Sequence, residues 1–227
     1  RGAEALHKLA NEADAVIGLR SIWSEDPLYT HARRSTIRIV EIDAARPVDG
    51  ALPGVALQPG DTTDGLNSQP WLASHNLGRM ADVLAADLVR LAPGAKARIE
   101  SNLADLKQQL LKLSADSEKR LAQADNVAVV SLSERLGYLI SGLNLEQVAR
   151  QVLADDQWTP EALNTLSKTL KDNDVAVVLD HREPPEAVKA AISAAGSQLL
   201  GLGSEAEDPL AGSQGDTEQV IKVPTKG

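Results

Sequence analysis

The feature that most constrains the fold is a helical pattern of unusual length near the middle of the chain. Between Ala95 and Ala122 the apolar residues recur at alternating steps of four and three, namely at Ile99, Leu103, Leu106, Leu110 and Leu113. This spacing places them in one stripe along a helix. At 1.5 Å per residue, such a helix extends about 42 Å, which is more than a small lobe needs. We therefore expect it to run down the molecule and join two halves rigidly.

Short apolar runs alternate with helical patterns on both sides of this helix. The runs before it are Ala15–Leu19 and Thr36–Ile42, and those after it are 127–132, 175–179 and 199–202. Alternation of strand and helix is typical of parallel sheets covered by helices. We predict an α/β protein with two lobes of mainly parallel sheet. The first lobe spans 1–94, the linking helix 95–122 and the second lobe 123–227.

Local signals place several further elements. Helical spacing covers 3–13 and 77–91, and Thr159-Pro160-Glu161 is typical of a helix start with Thr159 as N-cap. Residues 44–70 are rich in Pro, Gly, Asp and Thr and predict a long loop, a type of segment that often has a function. The run 219–223 predicts a late edge strand.

Charge and cysteine content exclude several classes of partner and site. The formal net charge is -9, which argues against nucleic acid, because phosphate binding needs clustered Lys and Arg. The chain contains no cysteine, so disulfides and cysteine-based zinc sites are excluded. No apolar run approaches the roughly 20 residues that cross a bilayer, so we do not expect an integral membrane protein.

The most specific motif is the turn Asn67-Ser68-Gln69-Pro70-Trp71-Leu72. It resembles the Asn-Pro-His-Xaa-Trp-Leu turn of the cluster A-I solute-binding proteins, the extracytoplasmic receptors of zinc and manganese ABC transporters. Four further short segments resemble that family in the same order. They are Leu9–Ile17, Ile42–Pro47, Ser131–Tyr138, which is similar to a His-Asp-Ala-Xaa-Gly-Tyr motif, and Glu183-Pro184. The resemblance implies two lobes linked by a backbone helix.

The same resemblance implies where metal ligands would lie. The family's first histidine precedes its first matched helix, so one β-α-β unit of the first lobe would be absent and that lobe truncated. The other three positions fall on Gln69, Ser133 and Asp208. Zinc sites normally use His, Cys or carboxylate. A Gln amide and a Ser hydroxyl are poor zinc or manganese ligands, and they suit a polar or already chelated ligand better.

A second polar cluster, Asp180-His181-Arg182-Glu183, follows a predicted central strand. Open α/β sheets bind ligands at the carboxyl ends of their strands, so His181, like Asp208, is a candidate metal ligand. The alternative is that Asp180 and Glu183 cap the next helix while His181 faces solvent. Trp71 either anchors its turn or contacts the ligand.

Ser133 and Glu134 together allow a third interpretation, a hydrolase with Ser133 as nucleophile. The Gly-Xaa-Ser-Xaa-Gly pattern of a nucleophile elbow does not surround Ser133, so we do not expect an enzyme.

The resemblance therefore implies a periplasmic or extracytoplasmic substrate-binding subunit of a metal-type ABC importer, although no signal peptide is present in this chain. Its partner is an ABC permease, and its ligand lies in the cleft between the lobes, near Gln69, Ser133 and Asp208. No resident cofactor is expected, and the transported ligand is zinc, manganese or a metal chelate. The alternative keeps the receptor fold without free-metal binding. It recognises a chelate or another polar ligand, or acts through a protein partner.

Overall fold

The structure, a computed structural model, describes residues 2–48, 50–58, 70–203 and 209–223. The chain divides into two compact units. Unit 1 comprises Arg1–Ser68 and Asn76–Lys107, and unit 2 comprises Gln69–His75 and Gln108–Gly227.

Unit 1 contains a small parallel sheet with helices packed on it. Its elements are α1 (Gly2–Glu12), β1 (Ala15–Gly18), α2 (Leu28–Ser35), β2 (Val40–Asp43) and most of α3 (Ser74–Leu91). Strands β1 and β2 pair in parallel, from Ala15 opposite Val40 to Gly18 opposite Asp43. A small apolar cluster of Ala10, Ala32 and Ile39 forms part of the core.

Two features of unit 1 differ from the sequence prediction. The strand predicted over Thr36–Ile42 starts only at Val40, because Ile37 lies in a turn and is 81% exposed. Helix α2 had not been predicted. Among its residues only Ala32 is buried, so the segment carries no apolar stripe that would identify it.

The predicted long helix is confirmed as α4, which spans the 26 residues Lys96–Leu121. A short 3-10 turn, Pro93–Ala95, separates it from α3, as the interrupting Pro93-Gly94 pair indicates. Leu110, Ser117 and Leu121 are the buried residues of the helix. No helix in the described ranges is both long enough and apolar enough to cross a membrane.

Unit 2 contains the larger sheet. Its further elements are β3 (Ala128–Ser131), α5 (Gly137–Gly142), β4 (Glu146–Arg150), α6 (Pro160–Asp172), β5 (Val177–Asp180), α7 (Glu186–Ala194), β6 (Gln198–Gly201) and α8 (Pro209–Lys222). The strand order is β4-β3-β5-β6, and every neighbouring pair is parallel. All four residues of both β3 and β5 are buried.

Alternating side chains of the two central strands enter two different apolar clusters. Val129, Val177 and Leu179 belong to one cluster, which also holds residues of α5 and α8. Val130 and Val178 belong to the other, together with residues of α6 and α7. The predicted α/β class, with parallel sheets covered by helices, is therefore confirmed.

The end of the chain corrects one prediction, and β4 adds a strand that had not been predicted. Residues 219–223, predicted as an edge strand, lie in α8 up to Lys222, where Val220 and Ile221 are buried side by side. Two adjacent apolar residues fit a strand as well as a helix, so the local pattern did not decide. Strand β4 has the sequence EQVAR and no buried residue, so no alternation of apolar and polar residues indicates a strand there.

The tryptophan turn packs within unit 2. Pro70–Leu72 form a 3-10 turn in which Pro70 and Leu72 are buried, and Trp71 packs against the large apolar cluster. Ala73 lies against Gly142 of α5, where a Cβ atom would come within 3.0 Å of the Ala73 side chain. The glycine therefore permits the close approach of α5 to this turn.

Candidate functional site

Polar side chains meet at the carboxyl ends of the two central strands of unit 2. Ser131 of β3 pairs with Leu179 of β5, so the residues that follow each strand emerge side by side. Ser133 follows β3, and His181 follows β5. The Ser133 Oγ atom and the His181 Nδ1 atom are 2.6 Å apart, a short hydrogen bond between the two strand ends.

Three further hydrogen bonds fix Ser133. Its backbone N–H donates to Ser131 Oγ at 3.2 Å, and Ser131 Oγ donates to the Ser133 carbonyl at 3.0 Å. The Arg135 N–H donates to Ser133 Oγ at 3.0 Å. Ser133 has no exposed surface. Its hydroxyl is therefore held in a set position, with His181 as its side-chain partner.

Asp180 holds the backbone that carries His181. Its Oδ1 atom accepts hydrogen bonds from the N–H groups of His181 at 2.8 Å and Arg182 at 3.4 Å. The same oxygen lies 3.5 Å from His181 Nδ1. Burial raises the pKa of the Asp180 carboxyl above its ordinary value, although these backbone donors and the neighbouring His181 and Arg182 charges oppose the shift.

A cavity of about 540 Å³ opens beside His181. Its apolar lining is Leu132, Val152, Leu153 and Ala154, and its polar lining is Glu134, Asp155, Asp156, His181 and Arg182. The Arg182 guanidinium donates to Asp155 Oδ1 at 2.6 Å and to the Leu153 carbonyl at 3.1 Å. Three carboxylates and one guanidinium give the lining a net negative charge.

The geometry does not fit serine hydrolysis. In a Ser-His-Asp relay the serine contacts Nε2 and the aspartate contacts Nδ1 of the same ring. Here Ser133 and Asp180 both face Nδ1, at 2.6 and 3.5 Å, and Ser133 is inaccessible to solvent. The interpretation of Ser133 as a nucleophile is therefore wrong.

The structure brings together only part of the predicted site. Ser133, Asp180 and His181 form one hydrogen-bonded group, and half-buried Glu134 lines the cavity beside it. Trp71 packs against the apolar core of unit 2. Gln69 and Asp208 lie outside the described residues. Among the residues that are described, no group of three or more His, Cys or carboxylate residues could hold a metal ion.

Sequence reasoning missed the residues that shape the site around His181. Ser131 is a polar residue within a buried strand. A buried hydroxyl needs a hydrogen-bond partner, so this position could have indicated its bond to the backbone of Ser133. Asp155 and Asp156 follow the unpredicted strand β4 and therefore had no place in the expected sheet. Glu183, expected near the site, instead pairs with Lys189 on the exposed start of α7, which lowers the pKa of its carboxyl.

A family model described as zinc-uptake complex component A, periplasmic, matches residues 7–223 of this chain. A search of the curated proteins finds no matching sequence.

Solved structures of solute-binding proteins share the fold. A mutant of FpvC from Pseudomonas aeruginosa has a TM-score of 0.79 at 19% identity, covering 99% of this chain and 85% of its own. A zinc-bound deletion mutant of ZnuA has a TM-score of 0.76 at 18% identity, covering 97% and 82%. FpvC in complex with Ni²⁺ has a TM-score of 0.72 at 20% identity, covering 99% and 83%. At these identities the likeness is one of fold.

Proposed function

This chain belongs to the family of periplasmic A components of zinc-uptake complexes, and on that premise we propose that it is the substrate-binding subunit of a metal-type ABC importer. The family consists of solute-binding proteins rather than enzymes. We propose that the chain works in the periplasm, captures a ligand that contains a divalent metal and delivers it to an ABC permease.

The observation that carries this proposal is the family match across nearly the whole described chain, from residue 7 to 223. The position of the polar group adds support, because Ser133 and His181 lie at the carboxyl ends of parallel strands, where open α/β sheets bind their ligands. The acidic lining of the adjacent cavity favours a cationic ligand over an anionic one.

A second candidate keeps the receptor function and changes the ligand from a free ion to a metal chelate. Two observations favour it. The hydroxyl of Ser133 is a poor donor for zinc or manganese, and it is already hydrogen-bonded to His181 and Arg135. The cavity beside His181 is open to solvent, and its volume of about 540 Å³ leaves room for the organic part of a chelate as well as for the ion.

Calorimetric titration of the metal-free protein with Zn²⁺ and with Mn²⁺ tests the free-ion form of the proposal. Stoichiometric binding of either ion supports it, and heat with neither ion leaves only the chelate form. The importer function itself is tested in cells that lack this protein. Their zinc or manganese content should fall when these metals are scarce and recover when the protein is restored. An unchanged metal content would contradict the importer function.

A further inference from the structure

We propose that His181 contacts the transported cargo through Nε2, and that the cargo is a divalent transition-metal cation which retains small ligands of its own. Ser133 and Asp180 are the positioning residues that hold the imidazole for this contact. The inference rests on the proposed importer function and specifies which side chain recognises the cargo and in what chemical form.

The imidazole of His181 is oriented by its two protein partners. One ring nitrogen, Nδ1, faces the protein, since it lies 2.6 Å from Ser133 Oγ and 3.5 Å from Asp180 Oδ1. Both partners are almost fully buried, with exposures of 0% for Ser133 and 2% for Asp180. The His181 side chain itself is 14% exposed and lines the cavity. The nitrogen left for a ligand is therefore Nε2.

The same partners favour a ring proton on Nδ1. A carboxylate close to Nδ1 attracts a hydrogen on that atom and repels a lone pair there. In this assignment Nδ1–H donates to Ser133 Oγ, whose other lone pair accepts from the Arg135 N–H. A neutral ring protonated on Nδ1 carries its lone pair on Nε2. That tautomer, with its other nitrogen bonded to a fixed partner, is how proteins present histidine to metals.

The lining of the cavity favours a particular chemical form of the cargo. The cavity beside His181 measures about 540 Å³ and has an apolar wall that includes Leu132, Val152 and Leu153. An apolar wall offers nothing to a bare or hydrated ion, but it can pack against the carbon atoms of an organic ligand on that ion. The net negative lining disfavours complexes that carry negative charge. A neutral or cationic metal complex with an open coordination position meets both conditions.

Nickel iminodiacetate is the first probe, because it is a neutral complex that leaves coordination positions open to an imidazole. We expect saturable binding of this probe by calorimetry, at least as tight as that of Ni²⁺ alone. His181→Ala should abolish it. His75→Ala removes an exposed histidine of the same unit and serves as the matched control, which should bind like the unchanged protein. Equal binding by the two histidine variants, or Ni²⁺ binding more than tenfold tighter than the complex, would overturn the proposal.

Nickel nitrilotriacetate tests the role of charge, since it offers open positions on the same metal but is anionic. We expect it to bind more weakly than the neutral complex, and Glu134→Gln should narrow the difference by reducing the negative charge of the lining. Equal affinity of the unchanged protein for the two complexes would show that the charge of the lining does not select the ligand, and would overturn the proposed neutral or cationic cargo.

The positioning role of Ser133 needs a readout that a general loss of structure would not mimic. Loss of a hydrogen-bond partner behind a ligating histidine costs about tenfold or more in metal affinity, which is the effect we expect for Ser133→Ala. Nitrogen-15 NMR of His181 should show an unprotonated Nε2 in the unchanged protein and a shift toward the other tautomer in Ser133→Ala. An unaltered thermal melting curve shows that the variant is folded. A protonated Nε2 in the unchanged protein would refute the assigned orientation.

These outcomes separate the inference from the importer function. If the protein supports metal uptake in cells while His181→Ala binds nickel iminodiacetate normally, the inference fails and the importer function stands. If uptake does not depend on the protein, the importer function fails whichever nitrogen of His181 is free.

Discussion

In both units an aspartate at the carboxyl end of a strand accepts hydrogen bonds from nearby loop residues, but the two aspartates have different surroundings. In unit 1, Asp43 at the end of β2 accepts hydrogen bonds from the backbone and hydroxyl of Ser21, at 2.6 and 2.8 Å, and from the Ala45 N–H at 3.0 Å. In unit 2, Asp180 at the end of β5 accepts from the N–H groups of His181 and Arg182. Each aspartate thus fixes the loop that follows its strand.

Asp43 and Asp180 differ in how deeply they are buried and in which side chain lies next to the carboxylate. Asp43 is half-buried and reaches a serine directly. Asp180 is 2% exposed, and an imidazole lies between it and the serine of the neighbouring strand end. The sheets explain the contrast. A two-stranded sheet has no central strand, whereas β3 and β5 of the four-stranded sheet are buried throughout. Of the two sheets in the described part of the chain, the four-stranded one has buried strands whose carboxyl ends hold His181 between Ser133 and Asp180.

The largest expected effect comes from the cores of the two sheets. Leu179→Ala in β5 removes a fully buried side chain and should lower the free energy of unfolding by about 2–5 kcal/mol. Ile17→Ala in β1 is the matched change in unit 1, where the side chain is already 46% exposed, and should cost about 1 kcal/mol or less. Urea unfolding followed by circular dichroism measures both. Similar losses of unfolding free energy in the two variants would contradict the inference that the sheet of unit 2 is more deeply buried than that of unit 1.

Most of the fold could be predicted from the sequence because apolar periodicity reports burial. The central strand β5, VVLD, and the stripe of α4 follow that rule. Strand β4, EQVAR, and helix α2, LYTHARRS, do not, since neither has enough buried residues to show a period. Their conformation is set by neighbours that are distant in the chain, such as the β3–β4 pairing.

Sequence reasoning named Ser133, Asp180 and His181 as candidates, but it did not predict that they contact one another, and it missed Ser131, Asp155 and Asp156. Asp180 and His181 follow a strand that the sequence predicts. They are candidates because open α/β sheets bind ligands at the carboxyl ends of their strands. The 2.6 Å contact of His181 with Ser133 joins residues 48 positions apart and depends on the register of β3 and β5. A one-residue change in register would separate them. No local pattern encodes that register, so the sequence indicates Ser133 as a residue of the ligand-binding cleft but does not indicate His181 as its hydrogen-bond partner.

A smaller effect is expected from the loop held by Asp43. Asp43→Ala removes the acceptor of three hydrogen bonds in a partly solvated setting and should cost about 1–2 kcal/mol. Ser21→Ala removes only the hydroxyl bond and should cost less than half as much. Amide hydrogen exchange at Ser21 and Ala45 locates the effect, because both N–H groups lose their partner in Asp43→Ala. Unchanged protection at these amides would show that water replaces the carboxylate without loss.

The smallest effect concerns Asp216, which holds a loop of unit 2 from a buried position. Its Oδ2 atom accepts a hydrogen bond from the Gly203 N–H at 2.9 Å, just after β6, and the residue is 7% exposed. Gly203 has a φ of +70°, which glycine adopts without strain. Burial raises the pKa of the Asp216 carboxyl, while the Gly203 donor opposes the shift. The buried carboxyl therefore holds its proton more tightly in the folded protein than in the unfolded chain.

The sign of the pH dependence follows from linkage. A carboxyl whose pKa is higher in the folded state contributes stability that is complete below its unfolded pKa, near the ordinary value of 3.8, and that is lost as pH rises through the folded pKa. Asp216→Asn removes this titration and keeps an oxygen for Gly203. Its free energy of unfolding, relative to the unchanged protein, should therefore rise from pH 4 to pH 7 in urea titrations. Ser213→Ala, a buried change on the same helix without a titrating group, should shift stability equally at every pH. If the free energy of unfolding of Asp216→Asn, relative to the unchanged protein, instead falls as the pH rises, burial does not raise the pKa of the Asp216 carboxyl in the folded protein.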